Sequence, residues 1–476
     1  MKVLIIATYE LGHQPYSSLT LCTYLESNGH DTKLFDLSKS DSYDESLDGN
    51  LSWAQAILIS VPMHTATSIA LDLIKLIEAE YPRLPIGLFG LYATNLDRLD
   101  LAAQIGLLAS GETQKDILDW LNGRDADAAA LTLARTVAQR TKSLDETRPA
   151  RLRRDKALSI ENYTRLQRGE SETLVGYVET SRGCNHKCLH CPVPVVYNGR
   201  IRINELRWVL DEINQLFDSG ARHITFGDPD FLNAPIHAMK ILRKMHQYHP
   251  DLTFDATIKV EHLIQHQALL PELRELGCLF IVSAFEHTSE EVLSILGKNH
   301  TRSDMEKAIS LCREVGIEIR PSLLPFTPWT KPQDIKELFD FVINNNIVGN
   351  VDPIQFSIRL LVPHGSLLLQ NDVTKDCFLS PLPNSPLSYE WVSPYSELEI
   401  LQQELTKLAA ASSCGESPVA IFDKSLQLVC NILGFEYVEP KYGLVNADVA
   451  KLSEAWFCCA EPTDAMFFSP TFGPLK

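Results

Sequence analysis

The chain has 476 residues, 45% of them hydrophobic and 22% charged, with a formal net charge of −18. This length and apolar content support two or three folded domains, and the acidic balance argues against a general grip on nucleic acid phosphates or on an anionic membrane surface. The longest apolar runs, such as Ala56 to Met63, are too short to cross a bilayer.

The first residues, Met1 to Glu10, read as a strand rather than a signal peptide, which points to a cytoplasmic protein. Eleven cysteines are spread along the chain, an odd number that does not suit a disulfide scaffold. Clustered cysteines are therefore metal or redox candidates.

Residues 1–125 alternate strand and helix signals. Strands are predicted at Val3–Ala7, Asp31–Asp36, Ala56–Val61 and Pro85–Gly90, and helices at Ser17–Asn28, closed by Gly29, and at Ser68–Glu80. Repeated β-α units imply a doubly wound parallel sheet with helices on both faces. No G-x-G-x-x-G follows the first strand, so a dinucleotide fingerprint is absent. Asp36 reads as a polar strand end or as a ribose partner. The stretches Pro15–Leu37, Ile86–Tyr92 and Ser110–Leu118 resemble the cobalamin-binding-type domain that precedes many radical SAM barrels. That resemblance leaves two readings, a domain that binds cobalamin as a cofactor and a structural or dimerising domain without one; the family's Asp-x-His-x-x-Gly motif is missing and His13 has other neighbours.

Residues 126–170 read as a charged, largely exposed linker, with one helix at Ala128–Thr141.

From residue 171 to 370 the alternation resumes. Strands are predicted at 173–179, 222–227, 253–258, 278–284, 317–323 and 353–358, with helices at 204–218, 234–248, 266–276, 303–315 and 331–344. Six such units suit a partial (β/α)6 barrel, whose functional groups gather at the C-terminal strand ends. Immediately after the first of these strands come Cys184, Cys188 and Cys191, spaced C-x3-C-x2-C on one loop. Three thiolates suit an iron–sulfur cluster with one iron left open. A zinc knot with His186 or His190 as fourth ligand is the alternative.

The loop Cys184-Asn-His-Lys-Cys-Leu-His-Cys191 resembles the radical SAM signature, including His190 before the last cysteine. The resemblance implies that the three thiolates hold a [4Fe-4S] cluster. The open iron would bind S-adenosylmethionine (SAM), and one electron, from a donor such as flavodoxin or ferredoxin, would break a carbon–sulfur bond. Other positions then align with the family's SAM contacts. Asp228, in Gly227-Asp-Pro-Asp230, stands where relatives receive the methionine amino group, or it forms an Asp-Pro turn. Lys259 stands where a basic partner for the carboxylate is common, or it is a solvated lysine. Ser283 and Glu286 fall at a ribose or amino-acid contact. Arg320 and Gln355 are polar groups on apolar strands, suited to SAM or to internal pairing.

Residues 371–476 begin with a Pro- and Ser-rich loop at 379–394, followed by helices at Tyr395–Ala411 and Phe422–Leu433. An aromatic tail carrying Cys458 and Cys459 is expected to fold back onto the barrel mouth. Neighbouring Cα atoms about 3.8 Å apart do not favour a disulfide, so the pair suits a soft ligand or redox chemistry. Cys458-Cys-Ala-Glu-Pro462 resembles the tail of the CUAEP/CCAEP-tail radical SAM family.

The layout is also similar to the radical SAM enzymes of arsinothricin biosynthesis. This implies transfer of the 3-amino-3-carboxypropyl group of SAM to arsenite held by Cys458 and Cys459, with Cys414 or Cys430 as a third thiol. Two other readings stand beside it. One is a cobalamin-dependent radical SAM methyltransferase or rearrangement enzyme acting on a small organic or peptide substrate. The other is a non-catalytic metal or arsenic sensor.

Overall fold

The computed structural model describes residues 1–40, 45–96, 104–126, 139–144, 151–378, 381–382, 385–411, 416–442 and 449–454. The first domain is built on β1 (Lys2–Ala7), α1 (Tyr16–Ser27), β2 (Asp31–Asp36), α2 (Glu45–Trp53), β3 (Ala56–Ser60), α3 (His64–Glu80), β4 (Ile86–Phe89), β5 (Ile105–Glu112), α4 (Gln114–Ala126) and β6 (Gln139–Leu144). The strands form one parallel sheet in the order β2-β1-β3-β4-β5-β6.

Side chains alternate across a strand, so β1 feeds two cores. Leu4 and Ile6 pack with Ile57, Ile59 and Leu73, whereas Val3 and Ile5 pack on the other face with Leu21, Leu25, Leu58 and Trp120. Burial on both faces explains why these strands read as continuous apolar runs. The strand order reverses between β1 and β3, and ligands of open α/β sheets bind at such a switch point.

Residues 139–144 are the sixth strand of this sheet and pair with β5 from Leu107↔Gln139 to Glu112↔Leu144. The last turn of the expected 128–141 helix is therefore strand, and the rest of that helix lies outside the described residues. Intrinsic helix propensity gave way here to the pairing offered by the free edge of β5.

The connection from 151 onward is not simply exposed. Arg154 bonds Glu212 through Nε at 3.0 Å and Nη2 at 2.8 Å, Gln14 through Nη1 at 2.8 Å, and the Tyr177 carbonyl at 3.2 Å. One side chain thus ties the connection to both domains.

The second domain runs through β7 (Arg165–Arg168), β8 (Ser171–Val178), β9 (Ser181–Gly183), α5 (Val193–Tyr197), β10 (Ile201–Ile203), α6 (Leu206–Asp218), β11 (His223–Phe226), α7 (Pro235–Tyr248), β12 (Thr253–Thr257), α8 (Val260–Gln265), α9 (Leu270–Glu275), β13 (Cys278–Glu286), α10 (Glu290–Ile295), α11 (Arg302–Glu314), β14 (Glu318–Leu323) and α12 (Pro332–Asn344). Local chemistry sets several of these boundaries. Thr301 and Asp304 form a reciprocal capping box that starts α11. Pro271 at the start of α9 divides the expected 266–276 helix from α8.

The C-terminal region adds β15 (Pro381–Leu382), β16 (Ser385–Tyr389), α13 (Ser396–Ala411), α14 (Pro418–Leu433) and β17 (Lys451–Leu452). Ser417 caps α14, and Gly434 closes it at φ 74°. Phe422 of α14 lies 5.2 Å from Phe339 and 5.4 Å from Phe356, ring centroid to centroid. A buried aromatic of this kind contributes roughly 1.5–3 kcal/mol.

The second sheet has the order β14-β13-β12-β11-β8-β7-β17. Strands β8 and β11 to β14 are parallel, while β7 and β17 extend the edge antiparallel. The sixth barrel strand expected at 353–358 is a 3-10 turn at Pro353–Ser357. Proline at its start supplies no N–H for a ladder. Gln355 Oε1 instead accepts the Leu323 N–H at the end of β14, at 2.9 Å, and a single parallel bridge, Phe326↔Arg359, continues the curl.

Candidate active site

The three cysteines leave β9 at the C-terminal end of β8, on the rim where the parallel strands end. Gly183 opens the loop at φ 78°, and a Cβ there would sit 2.3 Å from the Arg200 carbonyl oxygen. Only glycine fits that turn. Cys184 and Cys188 are buried and Cys191 is half-buried, and none of the three forms a disulfide. The loop is held down at Leu189, whose N–H donates to the Leu296 carbonyl at 2.9 Å.

Asp228 fixes the loop's approach. Its carboxylate accepts the Thr180 N–H at 2.8 Å and the Thr180 and Ser181 hydroxyls at 2.6 Å each. Burial pushes its carboxyl up to about 7, against the pull of those donors. The carboxylate expected to receive an amino group thus also holds the chain that leads into the cysteine loop. Gly227 beside it is obligatory, because a Cβ would fall 1.9 Å from the Tyr177 hydroxyl.

Glu286 sits at φ 62°, where β13 slips register against β14. A non-glycine residue in this conformation costs of order 1–3 kcal/mol. Its Oε1 receives His190 Nε2 at 3.1 Å and Lys298 Nζ at 3.1 Å. Burial alone would raise the carboxyl, but Lys298 and His190 hold it well below the usual carboxylate range. Burial likewise opposes the Lys298 charge, and Glu286 with the thiols of Cys188 and Cys191 more than restores it. A fixed cation therefore faces the cluster thiols. Lys298 was not singled out in the sequence; the Gly297-Lys298 step after a short helix is the signal it left.

These features fit a [4Fe-4S] group. Three soft donors converge on one loop, a buried positive charge offsets them, and no fourth protein thiol joins them among the described residues. Among the described residues, the group of ligand atoms that lie within 4.8 Å of one another is His186, Asp230 and His262, with no cysteine, so neither His186 nor His190 is gathered with the thiols as a zinc knot requires.

Other expected SAM contacts differ in what they leave free. Ser283 is fully buried and its hydroxyl has no hydrogen-bond partner. Arg320 pairs Nη2 with Asp352 at 2.6 Å, yet its buried Nη1 is unpartnered. Lys259 is 6% exposed, not a solvated lysine, and lies 3.4 Å from Glu261. Gln355 is spent on Leu323. Cys414, Cys458 and Cys459 lie outside the described residues, and Cys430 is buried in α14.

The first domain meets this rim through a buried polar seam. Arg182, two residues before Cys184, pairs with Glu179 and reaches Glu112 of β5 at 3.3 Å, and Tyr197 donates to Glu112 at 2.9 Å. Glu10, beyond β1, is pushed up to about 8 by burial and by the nearby Glu179 and Asp36 carboxylates. Asp36 caps the turn after β2 and accepts the Tyr163 hydroxyl at 2.8 Å, which makes it a structural strand end. The C-terminal segment returns here too, since Glu454 accepts the Tyr9 hydroxyl at 2.7 Å.

At the β1/β3 switch point, His13 is buried against the Tyr177 ring at 4.9 Å. His64, the first residue of α3, is buried with neither ring nitrogen partnered, and burial lowers its pKa to about 4. A neutral imidazole with both nitrogens unpartnered, at the end of β3, fits a cobalt corrin.

Residues 178–342 match the family model described as the Radical SAM superfamily. The barrel is thus a radical SAM domain. Among curated proteins, the chain is similar to an uncharacterized methyltransferase of Pyrococcus horikoshii, 23% identical over 206 residues, 43% of each chain. It is also similar to the ribosomal protein uS12 methylthiotransferase RimO of Clostridium acetobutylicum, 25% identical over 201 residues, 38% of this chain and 42% of that one. The matched part spans less than half the length of these relatives.

Among solved structures, the fold is similar to the radical SAM methyltransferase TsrM of Kitasatospora setae. The TM-score is 0.65 at 17% identity, covering 91% of this chain and 95% of that chain. It is also similar to the cobalamin-dependent radical SAM enzyme OxsB, with a TM-score of 0.61 at 13% identity, covering 90% and 71%. Both likenesses span the first domain and the barrel together. No helix among the described residues is long and apolar enough to cross a membrane.

Proposed function

We propose that this chain is a cobalamin-dependent radical SAM enzyme that transfers a methyl group to a small organic or peptide substrate. The observation that carries this reading is the seam: the three-thiol loop and the C-terminal end of β5 in the first sheet are joined by Arg182, Glu112 and Tyr197. When bound, the cluster and SAM supply carbon–sulfur bond cleavage by one electron, and the corrin supplies a methyl carrier.

The chain's own residues then divide the work. Cys184, Cys188 and Cys191 hold the cluster, with Lys298 offsetting its charge. Asp228 and the Glu286–His190 contact fix the loop. The Ser283 hydroxyl, the free Arg320 nitrogen and the Lys259 ammonium remain to receive SAM. His64 would offer an imidazole nitrogen to the corrin. An external electron donor of the flavodoxin or ferredoxin kind fits the need for one electron.

Aminocarboxypropyl transfer to arsenite ranks below this reading. It depends on Cys458 and Cys459, and the named relatives are methyl- and methylthiotransferases. The test is expression with cobalamin supplied, followed by cobalt analysis and absorption spectra of the purified protein. One equivalent of corrin supports the proposal, and a corrin-free protein that still cleaves SAM, with the cleavage lost in Cys188→Ala, removes the cobalamin part of it. An arsenic–carbon product from arsenite and SAM would instead restore the arsenite reading.

A further inference from the structure

Beside the cysteine loop, three side chains from three elements converge. His186 lies within the loop, Asp230 follows β11, and His262 sits in α8 after β12. One ligand-type atom from each falls within 4.8 Å of the others. His186 Nε2 is 3.3 Å from His262 Nε2 and 3.7 Å from Asp230 Oδ2, and His262 Nδ1 is 2.8 Å from Asp230 Oδ2. A cation bound at about 2.1 Å by tetrahedral ligands spaces them about 3.4 Å apart; His262 can give the ion only one of its two nitrogens, and with one atom from each residue the trio lies within 4.8 Å, so it must draw together by up to about 1.4 Å to close on an ion.

A plain hydrogen-bond chain accounts for them less well. Asp230 is fully buried, yet its Oδ2 has no hydrogen-bond partner, and neither has His262 Nδ1. The two atoms are close but not aligned for an N–H to point at the oxygen. Leaving a buried carboxylate oxygen without a donor costs about 1–3 kcal/mol or more, a cost that a cation between the ligands would lift. The other nitrogen of His186, Nδ1, lies 3.5 Å from Glu261 Oε2. A carboxylate behind a histidine is how metal-binding imidazoles are usually oriented. Glu261 also lies 3.4 Å from the Lys259 ammonium, and that charge, after burial, helps to lower the His186 pKa and so keeps the imidazole neutral for a cation.

We propose that His186, Asp230 and His262 form a second metal site, for a first-row divalent cation such as Zn2+ or Fe2+, beside the cluster loop. Two imidazoles and a carboxylate suit such an ion and not an iron–sulfur cluster, which selects thiolates. None of the three cysteines takes part, so the site differs from a Cys–His zinc knot. With three protein ligands, positions remain for water or a substrate oxygen. The bound ion would clamp the cluster loop to the ends of β11 and β12.

The experiment uses cluster-loaded full-length protein, dialysed against Zn2+ and analysed for zinc and iron per chain. Zinc taken up by thiols elsewhere is common to all variants, so the difference between variants is the readout. The wild type is expected to hold one zinc more than His262→Ala, with four irons in each. Glu261→Ala, at a partly exposed position that does not threaten the fold, is expected to weaken zinc uptake 10–100-fold. Equal zinc in the wild type and both variants, or no zinc in the wild type, overturns the proposal.

Discussion

Asp228 and Thr180, 48 residues apart, are joined twice, by an N–H donor at 2.8 Å and a hydroxyl donor at 2.6 Å. Ser181 adds a third bond to the same carboxylate. The short segment that leads into Cys184 is therefore hung from the end of β11. Asp228→Ala strands three buried donors and is expected to cost roughly 3 kcal/mol, read from the urea midpoint of cluster-free protein. Iron retained per chain should fall with it.

The same site gives a pH prediction. The folded carboxyl stands at about 7, above its ordinary value of 3.8, so the native state holds the proton more tightly than the unfolded chain. The stability this contributes is complete below about pH 4 and is lost as pH rises through 7. Relative to Asp228→Asn, the wild type should therefore lose stability between pH 4 and 8. A gap between their melting temperatures that stays flat with pH contradicts this.

Lys298 places a buried ammonium near Cys188 and Cys191, held there by Glu286. A positive charge near a cluster favours its reduced form. Lys298→Met is thus expected to shift the cluster potential to more negative values, measured by spectroscopic redox titration. Glu286→Ala, by contrast, leaves the ammonium uncompensated in the interior and should cost roughly 3–5 kcal/mol. An unchanged potential in Lys298→Met would mean that the charge does not reach the cluster.

The inner parallel strands were legible because burial on both faces writes them as apolar runs, as in β3, whose residues Ala56–Ser60 are all buried. The cluster loop was legible because its spacing is local. What the sequence hid is what distance creates. Gln355 looked like a strand residue, yet it closes Leu323 from a turn. Glu286 looked like a ligand contact, yet two side chains from other segments occupy its Oε1. Arg154 looked like linker charge because its partners, Glu212 and Gln14, are 58 and 140 residues away. β17 has two residues, too few for any period to show, and exists only because the edge of β7 was open.

His64 offers an acid-side test. Its imidazole is neutral in the fold, with a pKa lowered from 6.5 to about 4 by burial. A depressed folded pKa contributes stability that is complete above about pH 6.5 and lost as pH falls toward 4, because the unfolded chain takes the proton first. His64→Phe removes that linkage. Its melting temperature should fall less steeply than that of the wild type from pH 6.5 to 4, in protein free of cobalamin. Parallel slopes in the two proteins would show that the ring is already protonated or solvated.

Arg154 joins Glu212 of the second domain to Gln14 of the first, and its removal should be felt where the domains meet. The Glu212 side chain is 1% exposed and the Arg154 side chain 8%, with 2.8 Å between them. Arg154→Met leaves a buried carboxylate with its main partner gone, at an expected cost of roughly 3–5 kcal/mol. Burial already pushes the Glu212 carboxyl up, and Arg154 pulls it back, so the variant should also take up a proton at Glu212 at higher pH than the wild type. Arg154→Lys restores the charge but not the fork that reaches Gln14 and the Tyr177 carbonyl together with Glu212. It should therefore recover part of the stability and little of the domain locking. Limited proteolysis between residues 126 and 165 separates the two effects. Faster cleavage in both variants, with unfolding energy restored only in Arg154→Lys, is the expected pattern, whereas wild-type cleavage in Arg154→Lys would mean that charge alone holds the seam.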